Sequence, residues 1–126
     1  METALTPAQA RNALVAIRGS IGVFGLLFPR FTAKLFGIDA KANPAAVYMG
    51  RLFAVRELFM VAPFCMEDAE ELQDFAIQAG VAVDAVDVVA AGAAGVSGSL
   101  PKRAALMAGL TAAAAVALGV IAQQDD

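Results

Sequence analysis

Six ionisable residues sit inside stretches of this chain that are otherwise apolar enough to cross a membrane. They are Arg18 in the first stretch, Arg51, Arg56 and Glu57 in the second, and Asp84 and Asp87 in the third. An isolated charge at the bilayer centre costs about 2.5–3.5 kcal/mol even on the lenient insertion scale. Three of the six are cationic and three anionic, so the set balances. The fold must therefore pair these groups or turn them toward a polar cavity.

Composition supports the membrane reading. The 126 residues are 60% hydrophobic, with a mean hydropathy of +0.69. Soluble domains run at about 45–50% apolar even with glycine counted. A soluble alanine-rich bundle is the alternative. Against it stands the last helix, which has no charge and no solvated face between Arg103 and Ala122. Residues 1–126 are read as one domain.

Composition also excludes several chemistries. The net charge of −3 argues against a nucleic-acid partner. With no histidine and one cysteine, Cys65, a thiolate or imidazole metal site lacks ligands. Cys-His and Ser-His nucleophilic centres fail for the same reason, as does an internal disulfide. No metal or other cofactor is expected. The start METALTPAQA lacks the basic leader of a cleavable signal peptide. Tryptophan is absent, leaving Phe28, Phe31, Tyr48 and Phe75 as interfacial aromatics.

The expected fold is all-α, a four-helix transmembrane bundle with a short interfacial helix between the first and second spans. Thr6-Pro7-Ala8-Gln9 is a capping-box start for a helix over about 7–28, which Pro29 stops. At 1.5 Å per residue it is about 33 Å long, enough to span. Arg30 to Ile38 is amphipathic, with Phe31, Leu35 and Phe36 apolar and Arg30 and Lys34 wet, and Gly37 ends it. The second span covers about 44–66, with Asn43 as its cap and Pro63 bending its last turn. The third covers about 68–96, entered through an acidic connector in which Asp68 and Glu71 resemble a capping box. Gly95 to Ser99 form a turn, and Pro101 opens the fourth span over about 101–122.

Charge asymmetry sets the expected topology. One side carries Arg30, Lys34, Lys41, Lys102 and Arg103. The other carries Arg11 with Glu2, Glu67, Asp68, Glu70, Glu71, Asp74, Asp125 and Asp126. The positive-inside rule places the basic side in the cytoplasm of a plasma (inner) membrane protein, with both termini outside.

Within the spans, Gly80, Asp84, Asp87, Ala91 and Gly95 share one stripe of the third helix. Arg18, Gly22 and Gly25 share a face of the first, where the arginine stem has a glycine groove to follow. Ala105, Gly109, Ala113 and Ala117 form a packing seam on the fourth. Depth suggests pairing Arg51 with Asp87, Arg56 with Asp84 or Asp87, and Arg18 with Glu57 or Asp84. At about 100° per residue, Arg51 and Arg56 point about 140° apart and Glu57 about 100° further round. No single neighbour meets all three.

Gly50-Arg51 followed by Arg56-Glu57, then Val83-Asp84-Ala85-Val86-Asp87, resembles a group of small four-span membrane proteins common in actinobacteria and classed under a domain of unknown function. The resemblance covers most of the chain and is sharpest at the Arg-Glu and Asp-x-x-Asp patches. It implies a four-helix membrane unit and brings no activity. Small multidrug exporters are similar in length and span number but depend on a glutamate in the first helix, where this chain has Arg18. Four-span sterol isomerase-like proteins use a pattern with histidine and tryptophan that does not map here.

Three functions follow. The first is a non-enzymatic membrane protein, a homo-oligomer or accessory subunit of a larger complex, whose Arg18, Arg51, Arg56, Glu57, Asp84 and Asp87 form a structural network. The second is an intramembrane acid–base enzyme, of isomerase or cyclase type, acting on an apolar small molecule. Glu57, Asp84 and Asp87 would then be the catalytic candidates, and Arg51 or Arg56 would hold charge. The third is a small proton-coupled transporter, in which Asp84 and Asp87, one turn apart, resist double ionisation. A blind cavity reaching the carboxylates favours an enzyme, two-sided access a transporter, and full charge satisfaction without a cavity a scaffold.

Overall fold

The computed structural model describes residues 4–124, and all regular structure among them is helical. Glu2, Asp125 and Asp126, which contribute to the expected acidic side, lie outside the described residues. The elements are α1 (Pro7–Leu27), α2 (Pro29–Leu35), α3 (Ala45–Val61) with a 3-10 turn (Ala62–Cys65), α4 (Glu70–Ser97) and α5 (Lys102–Ala122).

Local chemistry accounts for most boundaries. Thr6 Oγ1 accepts from Gln9 N–H at 3.1 Å, and Gln9 Oε1 accepts from Thr6 N–H at 3.0 Å, closing the expected capping box. Pro29 ends α1 and supplies the first residue of α2. Gly37 follows α2 at φ +81°, and Gly98 ends α4 at φ +85°.

Two expected caps are corrected. Asn43 does not cap α3; its side-chain amide donates to the Asp39 carbonyl at 3.0 Å, fixing the loop instead. Asp68 does not begin α4 either. It sits at φ 52°, and the helix starts two residues later with no side-chain cap. The second long helix is also shorter than expected. Proline has no N–H and its ring clashes with the preceding turn, so from Ala62 the chain tightens into a 3-10 turn around Pro63.

Among the described residues, three helices are long and apolar enough to cross a membrane: α1, α4 and α5, with mean hydropathy 1.2, 1.6 and 2.2. At 17 residues, with Arg51, Arg56 and Glu57 within it, α3 falls outside that class. The packing is inside-out for a water-soluble protein. Among the described residues, the buried apolar ones apart from Leu14, Ile77 and Pro63 are alanines and glycines. Phe59, Val89 and Val96 meanwhile lie 74%, 71% and 89% exposed. Small residues inside and large apolar residues outside suit helices that approach closely and face lipid.

α4 packs most extensively on α5, and α1 on α3, while α3 and α4 barely touch. A methyl group at Gly119 would lie 2.5 Å from Val81 Cγ2, and one at Gly95 would lie 2.9 Å from Ala105 Cβ. The buried face of α5 runs through Ala105, Ala112, Ala115, Gly119 and Ala122. The expected seam through Ala113 and Ala117 is corrected, because both are exposed. Steps of four residues drift about 40° each, so a straight i+4 row leaves the contact, and alternating steps of three and four stay on it.

Candidate functional site

The six charges divide into a buried centre, a half-buried pair and one outlier. Arg18, Glu57 and Asp84 form the centre, on α1, α3 and α4, with exposures of 4%, 3% and 3%. Arg18 Nη1 donates to Glu57 Oε1 at 2.8 Å and reaches Asp84 Oδ1 at 3.4 Å, while its Nη2 donates to Asp84 Oδ2. One guanidinium thus bridges both carboxylates that depth matching offered as alternatives, through the planar fork that lysine lacks.

Gly80 makes the socket. A Cβ there would lie 2.6 Å from Arg18 Nη2. The expectation that the arginine stem follows the groove of Gly22 and Gly25 is corrected. That groove is filled by α3, with Leu58 against Gly22 and Ala54 against Gly25. The arginine head lies against α4 instead. Gly80 carried a signal in the sequence, one turn before Asp84 on the same stripe, but it reads there as helix contact rather than as room for a cation.

The half-buried pair is Arg56 with Asp87. Arg56 Nη2 donates to Asp87 Oδ2 at 2.6 Å, and Nη1 reaches Oδ1 at 3.4 Å. The same guanidinium lies 4.6 Å from the Phe53 ring centroid, within cation–π range. Arg56 Nη2 is also 3.6 Å from Glu57 Oε2, linking pair to centre. Five groups form one network of two cations and three carboxylates.

Arg51 stands apart, and its expected pairing with Asp87 is corrected. It is exposed, and its Nε donates to the Leu26 carbonyl at 3.3 Å. Asp87 is already engaged by Arg56, which lies on the α4 side of α3. The divergent angles on α3 have their consequence: Glu57 and Arg51 reach α1, and Arg56 reaches α4.

A cavity of about 530 Å³ occupies the basic half of the bundle. Its mouth is bounded by Pro29 and Phe36 beside α2, by Asn43, and by Ser99 to Pro101 in the α4–α5 turn. Its walls come from apolar residues such as Ile21, Phe53 and Ala108, and Arg18, Glu57, Asp84 and Asp87 lie along its deep end. Beyond them the bundle closes. Ala10, Leu14, Ile77, Ala115 and Ala122 form a cluster against which Phe64 packs. A void bounded there by Leu14, Met60, Phe64 and Ile77 measures only about 10 Å³, no more than one water's worth. This void is distinct from the cavity, and the charged groups are not visible as a cavity lining from spacing alone.

Glu57 Oε2 is buried and accepts no hydrogen bond. Arg56 Nε is likewise buried without an acceptor, on a residue outside the cavity lining. Comparison with family models, with curated proteins and with solved structures returns no match. The similarity drawn from the Arg-Glu and Asp-x-x-Asp patches therefore rests on those residues alone.

Proposed function

We propose that this chain is a four-span plasma-membrane protein that receives an apolar-bodied small molecule in this cavity, with the charged network as both the lock of the bundle and the recognition surface. One observation carries this reading: the cavity reaches Arg18, Glu57, Asp84 and Asp87. A purely structural network has no use for a void at its charged face, since open space forfeits packing contacts. The volume falls within the roughly 300–1,000 Å³ of sites for drug-sized ligands. In this reading α3 and its 3-10 turn together make the fourth span, about 33 Å from their two rises. The basic mouth faces the cytoplasm by the positive-inside rule, and both termini face outward.

Filling the cavity tests the reading. Ala108 is partly buried and lines it. Ala108→Phe should leave the thermal transition within about 1 kcal/mol of wild type, because it fills space rather than displacing packed atoms. It should abolish any small-molecule adduct seen by native mass spectrometry of protein taken from its host membrane. Retention of the adduct would overturn the cavity reading. The same site suits an intramembrane acid–base enzyme, in which Glu57 or Asp84 would move the proton, and turnover of the retained molecule would distinguish that case. Assembly as a homo-oligomer or accessory subunit is a second reading, favoured by Arg51, an exposed cation on a face otherwise suited to lipid.

A further inference from the structure

The charged lining of the cavity is lopsided. Three carboxylates, Glu57, Asp84 and Asp87, face it with one guanidinium, that of Arg18, and Arg56 is not part of the lining. Both terminal nitrogens of Arg18 are already committed to Glu57 and Asp84. An anionic ligand would add a fourth negative charge to three carboxylates held by two guanidinium groups. Glu57 offers the opposite. Its side chain is 4% exposed, it lines the cavity, and its Oε2 accepts no hydrogen bond, with Arg56 Nη2 no nearer than 3.6 Å. A buried carboxylate oxygen without a hydrogen bond favours added positive charge nearby.

We infer that the cavity binds a monocationic amine on an apolar body, its ammonium set against the carboxylates that line the cavity and neutralising the excess carboxylate of the network. This deepens the cavity reading and rests on it. A bare metal ion fits less well, because among the described residues no three acidic side chains converge as a metal site requires. The apolar body would occupy the space between Ile21, Phe53 and Ala108. One positive charge would bring two guanidinium groups and an ammonium against three carboxylates.

The test uses three probes with one rigid body and different heads: adamantylamine, adamantanol and adamantanecarboxylate. Binding is measured to the full chain in lipid nanodiscs, with empty nanodiscs subtracted to remove partitioning. The amine should bind about tenfold or more tightly than the alcohol, the scale of a charge-assisted hydrogen bond, and the carboxylate should bind weakest. Glu57→Gln should erase the preference for the amine and leave alcohol binding in place, since glutamine keeps the shape without the charge. If that variant fails to fold, the ranking of the three probes on wild type decides alone. Equal binding of amine and alcohol would overturn the inference and assign the excess charge to a proton, with the cavity reading intact. Tighter binding of the carboxylate would overturn it by showing a free cationic donor. Binding of none of the three would overturn both the inference and the cavity reading.

Discussion

α4 meets α5 and α3 in opposite ways. Against α5 it closes on small residues, Gly95 on Ala105, Ala91 beside Gly109, and Val81 over Gly119, with no ionic contact between the two helices' side chains. Against α3 it hardly packs at all, and the two are tied by Arg56 to Asp87 and, through Arg18, by Glu57 to Asp84. Small side chains let backbones approach, whereas long charged ones hold them a side chain's length apart. The bundle leaves room for a cavity where charge replaces glycine. One seam is dry and self-sufficient. The other keeps a gap open and spans it with groups able to interact with a ligand.

The sharpest way to break this contrast is to remove the common cation. Arg18→Met would strand Glu57 and Asp84, both buried on the seam between α3 and α4. Breaking a buried pair from one side costs about 3–5 kcal/mol, and here two carboxylates lose their partner. The variant should unfold in detergent at a much lower temperature than wild type or fail to accumulate. Adding Glu57→Gln and Asp84→Asn to it should recover most of the loss, because the uncompensated charges are gone. If Arg18→Met alone melts near wild type, the carboxylates are wet, and the charged seam is no more than a solvated cleft.

The small-residue seam should respond by sterics alone. Gly119→Ala places a Cβ 2.5 Å from Val81 Cγ2, so the helices must shift. Overpacking of this kind costs about 1–3 kcal/mol. Gly92 on α4 is the control, since a Cβ there meets nothing within 4 Å. Gly92→Ala should raise stability by about 0.5–1 kcal/mol through helix propensity. Thermal melts of the two variants side by side check the pair. Equal behaviour would mean that α4 and α5 can slide apart freely and that the dry seam is not tight.

The two seams were not equally legible in the sequence. The charged one was largely readable, because a charge in an apolar stretch must find a partner and depth restricts the choice. Arg56 with Asp84 or Asp87 follows from that argument, and so does Arg18 with Glu57 or Asp84, although not that one fork would take both. Arg51 misled because depth says nothing about azimuth; Arg56 reaches Asp87 and Arg51 points away. The small-residue seam was readable in kind but not in register, since half of α5 is alanine or glycine and many rows look alike. Ala113 and Ala117 are exposed for that reason. The cavity was not readable, because a void depends on where side chains fail to meet, and no residue in the list of its walls announces it. Gly80 shows the same limit: its missing Cβ is a socket only once Arg18 is known to lie against it.

Arg51 tests whether the charged seam ends where the five-membered network ends. Its Nε donates to the Leu26 carbonyl near the end of α1, where helix carbonyls lack intrahelical donors and the helix dipole favours a cation. It lies between one and two turns into α3 from Ala45, close enough to the basic side for its long stem to carry the charge toward water. Such a contact is worth about 0.3–1 kcal/mol. Arg51→Gln keeps a hydrogen-bond donor and removes the charge, so it should shift the thermal transition of the purified chain by less than Arg18→Met or Gly119→Ala. The network of Arg18, Arg56, Glu57, Asp84 and Asp87 should be untouched, and probe binding in the cavity unchanged. A loss comparable to that of Arg18→Met would show that Arg51 has a carboxylate partner outside the described chain. In that case the exposed face of α3 would be covered in the membrane, and the open seam between α3 and α4 would be an interface rather than a binding cleft. Repeating the melt across a range of protein concentrations separates the two, since only a partner copy of the chain makes the effect concentration-dependent.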